Sequence, residues 1–308
     1  MEQNRYSILL VDDEPEVREL ISDYLTEDEG YRIQCACCGQ EALEILEKNS
    51  FDLVLSDINM PGMKGFDLLR EVKERYPDIK RVLITAYNVE DYLDLAQHHD
   101  IGNIFVKTTP FNFSELSTVL HNLLGGTIFG LERHFTRNTP VHRMNIFRSN
   151  HLEQDAQKIV SFLNDSQRVK RLELVIVELL TNAIFYGVMN ESAENKEEWD
   201  HNFELSDETA VEVSVAADTE KYAVSVVDRG GRLKKQDVLY WLHRQIAQDE
   251  RGYPLGLFDS HGRGLFIARR YIDRLIINID PNKLTEVIII NYLNHTCTGS
   301  KPLYINEL

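Results

Sequence analysis

Five short apolar runs, each followed by an amphipathic stretch, fill residues 4–124 and constrain the fold more than any other feature of the chain. Ser7–Val11, Tyr31–Ala36, Phe51–Ser56, Arg81–Thr85 and Asn103–Val106 have strand character. The stretches Pro15–Thr26, Gln40–Lys48, Phe66–Arg75, Val89–Gln97 and Asn112–Leu124 have helical spacing. Such a series implies a parallel, doubly wound α/β sheet with helices on both faces. Ligands on that architecture sit beyond the carboxyl ends of the strands. The polar residues lie there: Asp12 and Asp13 after the first run, Asp57 after the third, Thr85 at the fourth and Lys107 after the fifth.

Each of these has an ordinary explanation by itself. Asp13 could cap the helix that Pro15 starts, Asp57 could begin a turn, and Lys107 could be a solvated strand-end charge. Together they offer clustered carboxylates for a hard divalent cation, a hydroxyl for a phosphoryl oxygen and an ammonium for developing negative charge.

In order and spacing, Val-Asp12-Asp13-Glu-Pro, Ser-Asp57-Ile-Asn-Met-Pro-Gly, Thr85-Ala86 and Lys107 resemble the response-regulator receiver domain over residues 4 to about 124. The resemblance implies a flavodoxin-like fold in which Asp57 accepts a phosphoryl group from an upstream histidine kinase. It further implies Mg2+ held by Asp13, Asp57 and the Asn59 carbonyl with Asp12 assisting, and phosphoryl oxygens met by Thr85 and Lys107. Two positions depart from the family. Ile104 stands where the family has an aromatic switch residue, for which Phe105 or Tyr87 could substitute, and Thr108 replaces the proline after the lysine, leaving the isomer of that bond open.

At 308 residues the chain exceeds what one core usually supports, so a second domain is expected. Residues 1–130 hold 11 Lys and Arg against 24 Asp and Glu, a net of −13 out of −17, which argues against a nucleic-acid partner. No apolar run reaches membrane-spanning length and the start lacks signal-peptide layout, so a cytoplasmic location is expected. The Cys35-x-x-Cys38 spacing ends a strand-like run instead of opening a helix, which favours reduced, partly buried thiols over redox or metal chemistry.

Gly125-Gly126 closes the first domain, residues 125–139 form a connector that reads as helical over Ile128–Asn138, and Val141–Arg148 begins a new fold as a strand. His151–Leu163 and Arg168–Tyr186 then read as helices, and Glu178 and Asn182 share one face of the second at i, i+4. A buried, unpaired Glu178 would be costly, so a partner is expected, whether a neighbouring loop or a Mg2+-phosphate centre. Ala210–Ala217 and Tyr222–Asp228 read as paired strands, the second ending in Asp228-Arg-Gly230-Gly231. Ser260-His-Gly262-Arg-Gly264 opens a helix over Leu265–Tyr271 and offers free N–H groups to phosphate. Ile276–Ile279 and Glu286–Asn291 read as closing strands, and the acidic stretch Asn190–Glu208 as a solvated loop.

In their order these elements make residues about 140–293 resemble the α/β-sandwich ATP-binding domain of gyrase, heat-shock chaperones and histidine kinases. Within that group they are most similar to bacterial anti-sigma-factor serine kinases. The resemblance implies that Asn182 ligates the Mg2+ of ATP and Glu178 polarises the attacking hydroxyl. Asp228 and Gly230 would define the adenine site, Gly262 and Gly264 would bind phosphates, and residues 232–260 would form the ATP lid. Arg232 departs from the family by replacing the second glycine of D-x-G-x-G.

Too little chain separates the two domains for the long two-helix hairpin that presents a phosphoacceptor histidine, which sets aside histidine autophosphorylation at His134, His142 or His151. The expected organisation is a receiver at 1–124, a connector at 125–139 and an ATPase-type domain at 140–308. The expected function is a two-component response regulator whose Asp57 phosphorylation controls a serine/threonine-protein kinase acting in partner switching. Its partner would be an anti-sigma-factor antagonist or a sigma factor. The alternatives are a non-catalytic, phosphorylation-controlled binding module, favoured by Arg232, and an unorthodox histidine kinase. A homodimer is compatible with either domain, although no residue pattern marks one.

Overall fold

The computed structural model describes residues 6–163, 169–191, 199, 202–259, 262–293 and 299–308. The chain divides into two compact units, Met1–Ile128 and Phe129–Leu308. The division falls four residues past the boundary expected at Leu124, because Ile128 stays with the first unit.

The first unit contains strands β1 (Ser7–Val11), β2 (Arg32–Ala36), β3 (Leu53–Asp57), β4 (Lys80–Thr85) and β5 (Asn103–Val106). They alternate with helices α1 (Pro15–Glu27), α2 (Gly39–Leu46), α3 (Gly65–Arg75), α4 (Leu93–His99) and α5 (Phe113–Leu124). All strands are parallel in the order β2-β1-β3-β4-β5, which reverses direction between β1 and β3. Helices cover both faces, so Ile8 to Val11 and Leu53 to Leu55 are wholly buried and read as continuous apolar runs instead of alternating ones. The helix expected over Val89–Gln97 is split into a 3-10 turn at Val89–Tyr92 followed by α4. The Asn88 side chain accepts the Glu90 N–H at 3.3 Å and tightens that first turn.

The second unit contains β6 (Val141–Ile146), α6 (Leu152–Ser161), α7 (Val169–Thr181), β7 (Val211–Ala217), β8 (Lys221–Asp228) and α8 (Lys235–Arg244). It continues with α9 (Arg263–Tyr271), β9 (Arg274–Asp280), β10 (Leu284–Tyr292) and β11 (Leu303–Glu307). Its strands run in the order β11-β9-β10-β8-β7-β6, antiparallel except that β11 lies parallel to β9. Helix α7 packs between α6 and α9.

Several expectations need correcting here. The connector is not a helix: its regular structure is one 3-10 turn at Leu131–His134. Gly130, at φ 108°, turns the chain so that its N–H reaches the buried Glu286 carboxylate at 3.0 Å, which a continuous helix could not do. The helix expected over Arg168–Tyr186 is α-helical only to Thr181 and then widens into a π-helical segment at Asn182–Val188, while Arg168 lies outside the described residues. Strand β11 was not expected. Its five residues gain their place from β9 and from Lys301, whose ammonium donates to the Arg269, Arg270 and Ile272 carbonyls at the end of α9. Within the stretch expected to be a solvated loop, residues 192–198 and 200–201 lie outside the described residues. Trp199 is buried and stacks on Phe185 with ring centroids 4.5 Å apart. Among the described residues no helix is long and apolar enough to cross a membrane.

Gly65 at the start of α3 is pressed against the chain at Asp57. A Cβ there would collide with the Asp57 carbonyl oxygen and come 3.0 Å from Leu83 Cδ2. Backbone cannot yield as a side chain would. Gly65→Ala is therefore expected to destabilise the first unit by about 1–3 kcal/mol, read as a lower midpoint in chemical denaturation at unchanged slope.

Candidate functional site

Parallel strands ending at one edge bring the first cluster together. Asp12 follows β1 and is fully buried, and Asp57 ends β3 with 7% exposure. The Lys107 ammonium, just past β5, donates to Asp12 Oδ2 at 2.7 Å and to Asp57 Oδ1 at 2.6 Å. The other oxygen, Asp57 Oδ2, accepts the Asn59 N–H at 2.6 Å. Thr85 is buried at the end of β4; its carbonyl accepts the Lys107 N–H at 2.7 Å and its Oγ1 accepts the Tyr87 N–H at 3.0 Å. Asp13 lies beside Asp12, half-exposed at the mouth. It does not cap α1: the N-cap is Glu14, whose N–H goes to Asp12 Oδ1 at 3.0 Å.

Two carboxylates share one cation, and this imbalance sets the electrostatics. Burial lifts the Asp57 carboxyl above its ordinary range, Lys107 opposes that, and Asp12 adds to it. Burial alone would lower Lys107, but its bonds to Asp12 and Asp57 outweigh it and hold the ammonium above its usual value. Asp57 rises chiefly because it is buried, and Lys107 because two carboxylates face it. A further positive charge bound by Asp12, Asp13 and Asp57 would complete the balance, and an all-oxygen donor set of this kind suits a hard divalent cation.

The positions that depart from the receiver pattern behave differently from one another. Ile104 is fully buried; Phe105 is buried against Phe111, with ring centroids 5.5 Å apart, and Tyr87 is 61% exposed. Phe105 is thus committed to the core, and of the two substitutes only Tyr87 stands in solvent. The cis peptide recorded is Thr109–Pro110, two bonds beyond Lys107–Thr108.

In the second unit α7 carries Glu178 and Asn182 side by side, and the first turn of α9 meets them. A Cβ on Gly264 would come 2.7 Å from Glu178 Oε2 and 3.3 Å from Asn182 Nδ2. Glu178 is half-buried instead of fully buried, and neither its carboxylate nor the Asn182 amide has a hydrogen-bond partner among the described residues. Gly262 has φ 78° and caps α9, with Trp241 of α8 packed on it so closely that a Cβ would strike the indole. Ser260 and His261 lie outside the described residues.

Asp228, at the end of β8, is 5% exposed and its Oδ1 accepts the Gly230 and Gly231 N–H groups at 3.0 and 3.2 Å. Gly187, in the π-helical segment, meets it from the other side: a Cβ there would come 2.5 Å from Asp228 Cγ, and one on Gly230 would collide with the Gly187 carbonyl. Burial pushes the Asp228 carboxyl up to about 6 against the pull of those two N–H groups. Arg232 is exposed. Between it and α9, Arg244 forms a two-point ion pair with Asp259 at 2.6 and 3.1 Å.

Sequence reasoning missed Tyr92, Gly187 and Trp241. Tyr92 accepts a hydrogen bond from Asn59 Nδ2 at 2.5 Å and so ties the α4 side to the Asp57 loop. Gly187 carried a readable signal, since a glycine within a helical pattern costs about 1 kcal/mol and asks for a packing reason. Tyr92 and Trp241 carried none, because their partners are remote in sequence.

Comparisons with known proteins bear on the first unit. The response regulator receiver domain family matches residues 8–121. The probable transcriptional regulator ycf27 of Cyanidium caldarium is 30% identical over 184 residues, covering 58% of this chain and 70% of that protein. Sporulation initiation phosphotransferase F of Bacillus subtilis is 32% identical over 117 residues, covering 38% of this chain and 92% of that protein. Among solved structures, the response regulator protein TrrA of Thermotoga maritima is 39% identical, covers 38% of this chain and 98% of its own, and has a TM-score of 0.35.

Two outcomes follow from the electrostatics. Lys107→Ala leaves Asp12 and Asp57 buried without their cation, so a loss of about 3–5 kcal/mol at neutral pH is expected. The loss should shrink as the pH falls and the carboxyls protonate, which denaturation at several pH values reads directly. Asp228 has a folded value of about 6 against roughly 3.9 when unfolded, so the fold favours its protonated form. Its contribution is present below about pH 4 and is lost as pH rises through 6; relative to Asp228→Asn, the native protein should lose on the order of 3 kcal/mol between those limits and pH 7.

Proposed function

The chain belongs to the two-component response regulators through its receiver domain, and we propose that phosphorylation of Asp57 there controls an ATP-dependent serine/threonine-protein kinase in residues 140–308. Receiver domains bind Mg2+ and are phosphorylated by upstream histidine kinases. In this reading Asp57 Oδ2 or Oδ1 accepts the phosphoryl group, Lys107 and Thr85 stabilise its oxygens, and Asp12, Asp13, Asp57 and the Asn59 carbonyl hold the cation. The cation neutralises charge that Lys107 alone leaves uncompensated.

The observation that carries the kinase reading is the meeting of Gly264, at the first turn of α9, with the unpartnered Glu178 and Asn182. A helix N-terminus facing an amide and a carboxylate is a place for a metal-bound phosphate chain. Asn182 would hold the metal carried by ATP, and Gly262 and Gly264 would lie along the phosphates. Glu178 would orient and deprotonate a partner's hydroxyl, and Asp228 would accept the adenine amino group. The partner class is a small anti-sigma-factor antagonist or a sigma factor. The connector offers the route for control: Gly130 is held by Glu286, and Glu286 and Thr285 pair in register with Val227 and Asp228.

A binding module without catalysis remains the second reading. It draws on the close approach of Gly264 to Glu178 and of Trp241 to Gly262, which a triphosphate must displace. Arg232, which stands where the family has the second glycine, is exposed yet close enough to Asp228 to act on its charge, and it remains the feature that favours this reading. Between α5 and β6 the described chain holds only the 3-10 turn, which leaves no room for a histidine-presenting hairpin.

Mg2+-ATP is expected to bind, Asn182→Ala to weaken binding at least tenfold, and Glu178→Gln to abolish transfer while leaving binding largely intact. Label transferred from γ-labelled ATP to the antagonist should be stable to acid and labile to alkali. A phosphoryl donor should change the transfer rate in the native protein but not in Asp57→Asn. Binding without transfer would favour the module, and no binding would remove both the kinase and the nucleotide site.

A further inference from the structure

The Cys35-x-x-Cys38 spacing pairs two residues that the fold keeps in different elements. Strand β2 ends at Ala36 and α2 begins at Gly39, so Cys37 and Cys38 together form the turn between them. Glu41 lies in the first turn of α2 and bends back, its Oε2 accepting the Cys37 N–H at 2.7 Å. This bond and a second from the Cys37 side chain hold the carboxylate beside the thiols; the second pushes the Cys37 thiol up to about 11, so a bound cation must displace that proton. One sulfur from each cysteine and a Glu41 oxygen all lie within 4.8 Å of one another. All three cysteines of this region are free, Cys37 is exposed and Cys38 half-exposed, so a cation can reach them.

Ligand atoms around a tetrahedral zinc, at about 2.0–2.3 Å from the metal, stand roughly 3.5–3.8 Å apart. The cluster needs to contract by only about 1 Å to match, which rotation of exposed side chains supplies without moving the backbone. That backbone is held firmly. The Ala42 N–H bonds to the Cys38 carbonyl at 3.1 Å, and a Cβ on Gly39 would come 2.8 Å from Met63 Sδ, so the turn is packed against the loop that follows Asn59.

We propose that Cys37, Cys38 and Glu41 form a surface site for a thiophilic divalent cation of the zinc class, with the fourth position left to water or an external ligand. Two thiolates select against Mg2+, which prefers an all-oxygen octahedron, so this site and the Asp57 cluster sort their cations by ligand softness. Binding there ties the end of β2 to the start of α2, and it stabilises the first unit by mass action to the extent that the folded turn holds the three ligands better placed than the unfolded chain does.

The test uses the full chain, reduced, with Mg2+ in excess to occupy carboxylate sites. Titration with Co2+ should produce a thiolate-to-metal charge-transfer absorption that saturates at one equivalent and disappears when Zn2+ is added. The band should be absent in the Cys37→Ser, Cys38→Ser double variant, retained in Asp57→Asn, and shifted to at least tenfold higher Co2+ concentration in Glu41→Gln. Far-ultraviolet circular dichroism checks that the exposed serine substitutions leave the fold intact; a Cys37→Ser single variant, expected to weaken the band, serves if the double variant misfolds. Absence of the band in the native protein, or a band that survives loss of both cysteines, overturns the proposal.

Discussion

Two buried carboxylates held by a single ammonium are the constraint around which the first unit is arranged. Asp12 and Asp57 sit at the ends of buried, mostly apolar strands, and Lys107 must cross from the end of β5 to reach both. Such an arrangement stabilises poorly, because desolvating three charges costs more than their mutual attraction easily returns, and apolar replacements of similar volume would often do better. What it provides is a carboxylate with one oxygen on a cation and the other on a backbone N–H, fixed in place, beside a charge deficit. The parallel sheet exists in this form to hold those groups at one edge, and the close contact of Gly65 with the chain at Asp57 shows how little slack the loop there has.

The second unit solves a related problem with glycine instead of charge pairing. Gly187, Gly230 and Gly231 let three backbone segments converge on Asp228, and Gly264 lets the start of α9 reach Glu178 and Asn182. At each of these positions even a methyl group would collide. The π-helical widening after Thr181 belongs to the same design, since it carries Gly187 to the Asp228 carboxylate while Asn182 stays one turn from Glu178. Charge is left incompletely satisfied there: the Glu178 and Asn182 side chains face one another's surroundings without partners, whereas Asp57 is already engaged.

The parts of this molecule legible in the sequence are those where one physical signal acts locally. The first-unit strands were readable to within two residues because apolar runs and turn residues mark them, and Asp12, Asp57 and Lys107 were readable because strand ends at a parallel edge must converge. That Glu178 and Asn182 lie one turn apart was readable from helical spacing. Long-range packing was not. The helical reading of 128–138 failed because it assigned a structure by local pattern, whereas Glu286, more than 150 positions away, captures the Gly130 N–H. The Cys35 and Cys38 spacing misled for the opposite reason: sequence distance suggested a pair, but the strand-to-helix turn separates Cys35 and brings Cys37 and Cys38 to Glu41.

Glu286 links the connector to the Asp228 side of the sheet through ordinary hydrogen-bond accounting. Its carboxylate is 2% exposed and accepts from Ser225 Oγ at 2.7 Å, Asn278 Nδ2 at 3.0 Å and the Gly130 N–H at 3.0 Å. A buried carboxylate tolerates its burial only while its donors are present, and loss of one donor leaves a desolvated charge short of compensation. The connector is therefore part of the sheet's internal polar balance, not a tether lying on it. Two of the three donors come from strands flanking β10, and the adjacent residue, Thr285, pairs in register with Asp228. Any rearrangement that lifts Gly130 away must be answered by β8 and β9 or by protonation of Glu286, and β8 is the strand whose last residue is Asp228.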